Sequence, residues 1–113
     1  MEQNEAVRAY VAQYPQPIIA LFERLRGLIY RASPQTPRET LWARMPGYYV
    51  GDTFVRLIPF KDHINVEASA LRAHADALSA YTLTPKGMLR LSPDDPLPEE
   101  TLLCAFTQTL AGI

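Results

Sequence analysis

The sequence has very little cysteine and no long apolar run. Cys104 is the only cysteine, which excludes an intramolecular disulfide and a cysteine-based zinc site. It stands in the apolar segment LLCAF, which predicts a buried structural thiol rather than a reactive one. No stretch approaches the roughly 20 apolar residues that cross a bilayer, and no signal peptide is evident. We therefore expect a cytoplasmic protein that does not enter the membrane.

Charge of one sign is also lacking, because 11 basic and 12 acidic residues give a formal net charge of −1. A general nucleic-acid binder needs a basic stripe to displace counterions, so we expect no nucleic-acid partner. The 113 residues, 48% of them hydrophobic, predict one globular domain over 1–113. A domain of this size buries only about two-thirds of its unfolded-chain surface. A homodimer would therefore help to stabilise it.

The middle of the chain, from Glu39 to Ala68, predicts a continuous antiparallel meander. It is rich in β-branched and aromatic residues separated by short turn signals. Alternation predicts a first strand that Pro46 and Gly47 stop. The expected strands of the meander cover 38–45, 48–50, 53–60 and 64–68, and one more strand is expected over 87–91.

Helical periodicity marks the segments on either side of the meander. The strongest pattern lies in 17–32, whose apolar stripe consists of Ile18, Leu21, Phe22, Leu25, Leu28 and Ile29. Further helices are expected over 4–13, 69–80 and 98–110. This order predicts an α+β fold, with an antiparallel sheet of about four or five strands covered chiefly by the second and last helices.

Four segments resemble the YdhG-like family and keep the family's order: VRAYVAQYP, LFERLRGLIYRASPQTPRETLWARMPGYY, FKDHINVEA and TPKGMLRLSPDDPLPEETL. The most specific motif is an acidic residue, an aromatic and a Met-Pro pair before an aromatic turn, here Glu39, Trp42, Met45, Pro46 and Tyr48. A Lys-x-His turn and a Lys-Gly step before an arginine-bearing strand follow, here Lys61, His63, Lys86, Gly87 and Arg90. The family comprises small bacterial proteins classed as a domain of unknown function and suggested to be frataxin-like iron chaperones.

The resemblance covers nearly the whole chain and implies a frataxin-like sandwich. It also implies weak, reversible capture of iron and delivery to a protein of iron–sulfur cluster or haem biosynthesis. The candidate oxygen donors are Glu2, Glu5, Asp94, Asp95, Glu99 and Glu100. Carboxylates at helix starts are equally expected from the helix macrodipole and from capping, so a structural role is the alternative.

The motif residues also suggest a site for a small anionic or planar ligand. Trp42, Tyr48 and His63 would supply aromatic surface, and Lys61, Lys86 and Arg90 would supply positive charge. We expect these six side chains to gather near one end of the sheet. The alternatives are a sheet face covered by loops or a second subunit, scattered surface cations, and a protein-interaction domain without metal.

Catalysis has little support in the sequence. The serines Ser33, Ser69, Ser79 and Ser92 fall in cap or loop contexts, and none stands in a strand-to-helix elbow flanked by glycines. We therefore expect a binding or carrier domain rather than an enzyme.

Overall fold

The computed structural model describes residues 4–112. The α-helices are α1 (Glu5–Val11), α2 (Gln16–Ala32) and α3 (Glu99–Leu110), and a 3₁₀ helix covers Ser69–His74. The strands are β1 (Arg38–Trp42), β2 (Met45–Val50), β3 (Thr53–Pro59), β4 (Ile64–Ala68), β5 (Thr82–Leu83) and β6 (Leu89–Leu91). Within residues 4–112, no helix combines the length and hydrophobicity needed to span a bilayer.

The six strands form one antiparallel sheet in the order β1-β2-β3-β4-β6-β5. The α+β class and the central meander are confirmed, but the strand count of four or five is wrong. The additional strand, β5, has only two residues, so it is too short to show any alternation. It pairs with β6 at the edge of the sheet.

The core lies between one face of the sheet and the helices α2 and α3. All six residues of the predicted α2 stripe are buried, which confirms that helix as a principal cover of the sheet. The strand residues that face the helices and are buried are Tyr48, Val55, Leu57, Ile64, Val66, Ala68, Leu89 and Leu91. Residues that alternate with these point to the opposite side of the sheet, which we call the open face.

The first hairpin turns earlier than the sequence predicts. β1 ends at Trp42, and the turn is made by Ala43 and Arg44, whose φ angles are 51° and 63°. Two successive positive φ angles are those of a type I′ turn, which matches the twist of a tight hairpin. The predicted stop at Pro46 and Gly47 is therefore wrong, because both residues lie within β2.

Gly47 is suited to its strand because an aromatic ring covers it. A Cβ at this position would lie 2.9 Å from Cε1 of Tyr49, so the ring takes the space that a side chain would fill. Covering by the Tyr49 ring on the open face therefore accounts for a buried glycine inside a paired strand.

The predicted helix over 69–80 is wrong beyond its first turns. The segment is a 3₁₀ helix as far as His74, followed by turns in which Ser79 and Tyr81 donate to carbonyls three residues earlier. Leu71 and Leu78 are both buried. Packing of these two leucines, rather than the helix propensity of the alanines around them, determines the backbone here.

Candidate functional site

The structure separates the six residues predicted to bind a small ligand. Tyr48 faces the helices and is fully buried. Lys86 lies in the turn between β5 and β6, where it shares a cavity with the β2–β3 turn. Lys61 lies in the β3–β4 turn, at the opposite end of β3. The structure therefore brings Trp42, Lys61, His63 and Arg90 to one end of the sheet, and the predicted gathering is wrong for Tyr48 and Lys86.

The other predicted residues, Trp42, His63 and Arg90, lie on the open face. They are near the end of the sheet that carries the β3–β4 turn. Trp42 pairs with Met45 across the first hairpin. Farther across the sheet, Ile58 pairs with Asn65, and Asn65 pairs with Arg90. The β2–β3 register, continued by two residues, places Met45 beside Ile58. One transverse row of side chains thus leads from Trp42 to Arg90.

The β3–β4 turn extends this row with an aromatic pair. The Phe60 ring stacks on the His63 imidazole, with centroids 4.4 Å apart and planes inclined by 8°. His63 Nδ1 lies 2.6 Å from Asp62 Oδ1, and the Arg90 guanidinium lies 3.8 Å from Asp62 Oδ2. We call the apolar part of this surface the Trp42 patch, defined by Trp42, Met45, Ile58, Phe60 and His63.

Two large apolar side chains of the Trp42 patch are exposed to solvent. Trp42 is 66% exposed and Phe60 is 42% exposed, and these are the exposed large hydrophobic residues within 4–112. Tryptophan and phenylalanine are costly to leave in water and are enriched where proteins bind each other. The patch is therefore the strongest candidate for a contact surface.

Two cations, Arg44 and Lys61, lie next to the Trp42 patch in sequence. Arg44 lies in the β1–β2 turn, and neither it nor Lys61 forms an ion pair with another residue of the described chain. By contrast, Asp62 offsets the charge of Arg90, and the hydrogen bond with His63 lowers the pKa of the Asp62 carboxyl. Arg44 and Lys61 therefore lie beside the patch without a partner charge within residues 4–112.

A broad groove of about 810 Å³ adjoins the same cations. Its lining residues are Tyr10, Gln13, Tyr14, Pro15, Arg44 and Lys61. The hydroxyls of Tyr10 and Tyr14 lie 2.6 Å apart. Burial and this hydrogen bond raise the pKa of Tyr10 to about 12, so the phenol stays neutral. Arg44 and Lys61 directly neighbour Met45 and Phe60 in the sequence, so the groove adjoins the Trp42 patch.

A second constellation is buried between β1 and the helices. The Glu39 carboxylate accepts hydrogen bonds from Arg26 Nε at 2.7 Å, from the Tyr48 hydroxyl at 2.7 Å and from the Asn4 backbone N–H at 2.7 Å. Arg26 Nη2 also donates to Glu39 Oε1 at 3.2 Å and to the Tyr30 hydroxyl at 3.3 Å. We call these five residues the Glu39 cluster.

The ion pair at the centre of the Glu39 cluster is almost closed to solvent, with the side chains of Arg26 and Glu39 only 4% and 5% exposed. Burial opposes ionisation of Glu39, but hydrogen bonds from Arg26, Asn4 and Tyr48 outweigh it and hold the pKa of the carboxyl below its usual range. Burial and Glu39 together raise the pKa of Tyr48. Both carboxylate oxygens accept hydrogen bonds within the cluster, which therefore anchors the sheet to α2 and to the N-cap of α1.

Three of the carboxylates predicted to bind metal, Glu5, Asp95 and Glu99, have a role in local structure. Asp95 accepts from the Ser92 N–H at 3.0 Å, and Glu99 pairs with Arg24 at 3.8 Å. Glu5 lies in the first turn of α1, as the helix dipole favours. Glu2 lies outside the described residues. Within 4–112, no three histidine, cysteine, aspartate or glutamate side chains come together as a metal-binding group.

The prediction of a buried Cys104 is wrong, because this residue is exposed. In α3 the helix face toward the sheet consists of Leu102, Ala105, Phe106 and Leu110, which are all buried. Cys104 lies between these positions on the outer side. The run LLCAF is therefore the edge of an amphipathic stripe and not a fully buried segment.

Comparison with known proteins gives no relative from which a function could be carried over. No family model, no curated protein and no solved structure matches this chain.

Proposed function

We propose that this chain is a protein-interaction domain that binds a partner protein through the Trp42 patch. The observation that carries the proposal is the exposure of Trp42 at 66%, on a sheet face that also exposes Phe60. Contact residues of this kind supply most of the binding energy in protein interfaces when they enter a pocket of the partner. The groove beside Arg44 and Lys61 enlarges the available surface.

The charges indicate the chemistry of the partner. Because Arg44 and Lys61 have no ion pair within the described chain, a partner with carboxylates around an apolar pocket would balance both cations. Trp42 would fill the pocket, and the arginine and lysine would lie at the rim. A nucleic acid is a less suitable partner, because the whole chain has a net charge of −1.

The test uses a photo-crosslinking amino acid at Trp42 in living cells, with the same probe at exposed Arg31 of α2 as the control. The partner identified at position 42 is then purified and titrated against the intact chain. Trp42 is the only tryptophan, so its fluorescence should shift to the blue as the partner buries it. Trp42→Ala should weaken binding by roughly 2 kcal/mol or more, about thirtyfold in Kd.

Three outcomes would reject this proposal. In the first, the probe at position 42 captures nothing that the Arg31 control does not. In the second, Trp42→Ala binds the purified partner as tightly as the unmodified chain. In the third, sedimentation shows a dimer that forms with rising concentration and that Trp42→Ala abolishes. The patch would then be occupied by a second copy of this chain.

Reversible iron carriage is a second proposal, and it rests on the resemblance to the YdhG-like family. Anaerobic calorimetry with ferrous iron tests it on the intact chain. If carriage occurs, millimolar iron should release or absorb heat, and conversion of Glu2, Glu5, Asp94, Asp95, Glu99 and Glu100 to amides should remove that signal. Persistence of the signal in the amide variant, or its absence from the original chain, would reject iron carriage by these residues.

A further inference from the structure

A cavity of about 300 Å³ lies at the end of the sheet opposite the Trp42 patch. Three connections meet there: the β2–β3 turn, the junction of β4 with the 3₁₀ helix, and the β5–β6 turn. The lining residues that matter for binding are Asp52, Phe54, Glu67, Ser69, Arg72, Lys86 and Gly87. The volume is at the small end of the range for ligand sites, which suits a metabolite of few heavy atoms.

Arg72 is an exposed residue at the wall of this cavity, and its guanidinium is oriented by two contacts. Its Nη2 donates to the carbonyl oxygen of Pro85 at 3.1 Å. Its guanidinium also lies directly against Gly87, where a Cβ would come within 2.7 Å of Nε. Gly87 has a φ of 84°, a backbone conformation that a glycine adopts without strain. An arginine oriented in this way still has further N–H donors for a carboxylate.

The cavity has charges of both signs. Arg72 and Lys86 are the cations, and Asp52 and Glu67 are the anions. Glu67 Oε1 accepts from Arg56 at 3.1 Å, so that carboxylate is already paired. Asp52 forms no ion pair within residues 4–112. A ligand with a carboxylate alone would leave Asp52 unmatched, and a simple amine would leave both cations unmatched.

We propose that this cavity binds a small zwitterionic carboxylate of the free amino acid class. Arg72 and Lys86 hold the carboxylate, and Asp52 accepts from the ammonium group. The apolar part of the ligand lies against Phe54. This site is independent of the proposed protein contact, which lies at the other end of β3.

The experiment follows the backbone amide resonances of the intact, nitrogen-15-labelled chain during titration with single compounds up to about 10 mM, a range suited to weak binding. L-alanine and L-leucine are the zwitterions, and propionate and ethylamine carry one charge each. We expect saturable shifts at Ser69 and Gly87 with an amino acid. Propionate and ethylamine should bind at least about tenfold more weakly, the cost of one lost charged hydrogen bond.

Matched variants distinguish the roles of the charges. Arg72→Gln should abolish amino acid binding, while Arg31→Gln, an exposed arginine on α2, should leave it unchanged. Asp52→Asn should make propionate and L-alanine bind equally. Trp42→Ala should have no effect, so failure of one proposal is distinguishable from failure of the other. If Arg72→Gln does not fold, Lys86→Gln replaces it and should weaken binding.

The proposal is overturned if no compound gives saturable shifts, or if propionate binds the unmodified chain as tightly as L-alanine. It is also overturned if Arg72→Gln and Lys86→Gln both retain full binding, since the carboxylate would then be held elsewhere.

Discussion

Replacing Glu39 by alanine should lower the free energy of unfolding by about 3–5 kcal/mol, the usual cost of removing one member of a buried ion pair. The Arg26 guanidinium would lose the carboxylate to which it donates at 2.7 Å, in a site where both side chains are almost fully shielded from water. The Tyr48 hydroxyl and the Asn4 N–H would lose their acceptor as well. Chemical denaturation monitored by circular dichroism measures the loss.

Two controls separate the ion pair from simple loss of side-chain volume. Glu39→Leu combined with Arg26→Met removes both charges while keeping apolar bulk, so it should cost less than Glu39→Ala. The second control is acid. Because the folded pKa of Glu39 is lowered, its contribution is present above the ordinary pKa of glutamate and is lost as the pH falls through the folded value. Glu39→Ala should lack this part of the acid dependence; equal acid sensitivity in the two proteins would contradict the proposed anchoring role.

Replacing Leu25 by alanine should cost roughly 2–5 kcal/mol of unfolding free energy. Leu25 is fully buried in the α2 stripe, between the helix and the sheet, and the rigid neighbours can fill only part of the space left behind. Thermal and denaturant unfolding of the purified variant provide the measurement.

Leu103→Ala is the matched control for Leu25, because it deletes the same atoms from a partly buried position on α3. It should cost roughly half as much or less, since less apolar area is returned to water. A loss below about 0.5 kcal/mol for Leu25→Ala would show that α2 does not cover the core as described.

The sequence predicted α2 well because one physical effect dominates it. Six apolar residues at helical spacing demand a single buried face, and Pro17 in the first turn suits a helix start. The central strands could be predicted for a similar reason, since Val55, Leu57, Ile64 and Val66 alternate with partly exposed residues. Where burial is periodic, the pattern specifies both the element and its inner face.

The first hairpin could not be predicted in the same way, because its turn residues are Ala43 and Arg44. Both have positive φ angles, which glycine and asparagine adopt more readily. Pro46 and Gly47 have the usual signature of a turn, but here they lie in a strand. Pairing of β1 with β2 and the Tyr49 ring over Gly47 override that local signal.

The candidate sites were predictable in part. Glu39 shares the inward side of β1 with Leu41, and Arg26 is four residues after Phe22 in the α2 stripe. Two opposite charges at inward positions of different elements indicate a buried ion pair. The pairing of Glu39 with Arg26 could therefore have been predicted from the sequence. The cavity beside Arg72 could not have been predicted, because it is formed by three connections that are distant in the sequence. None of the three has an unusual sequence pattern by itself.

The covering of Glu39 by α1 has a consequence for self-association. An edge strand presents unpaired backbone groups onto which another chain can add, and such addition leads toward aggregation. At the β1 edge, the Asn4 side-chain amide donates to the backbone carbonyl of Glu39 at 3.2 Å, so a helix cap also occupies part of that edge. At the other edge, β5 offers only two residues. Asn4 at the β1 edge and the short length of β5 at the other edge both hinder pairing of this sheet with a strand from another molecule.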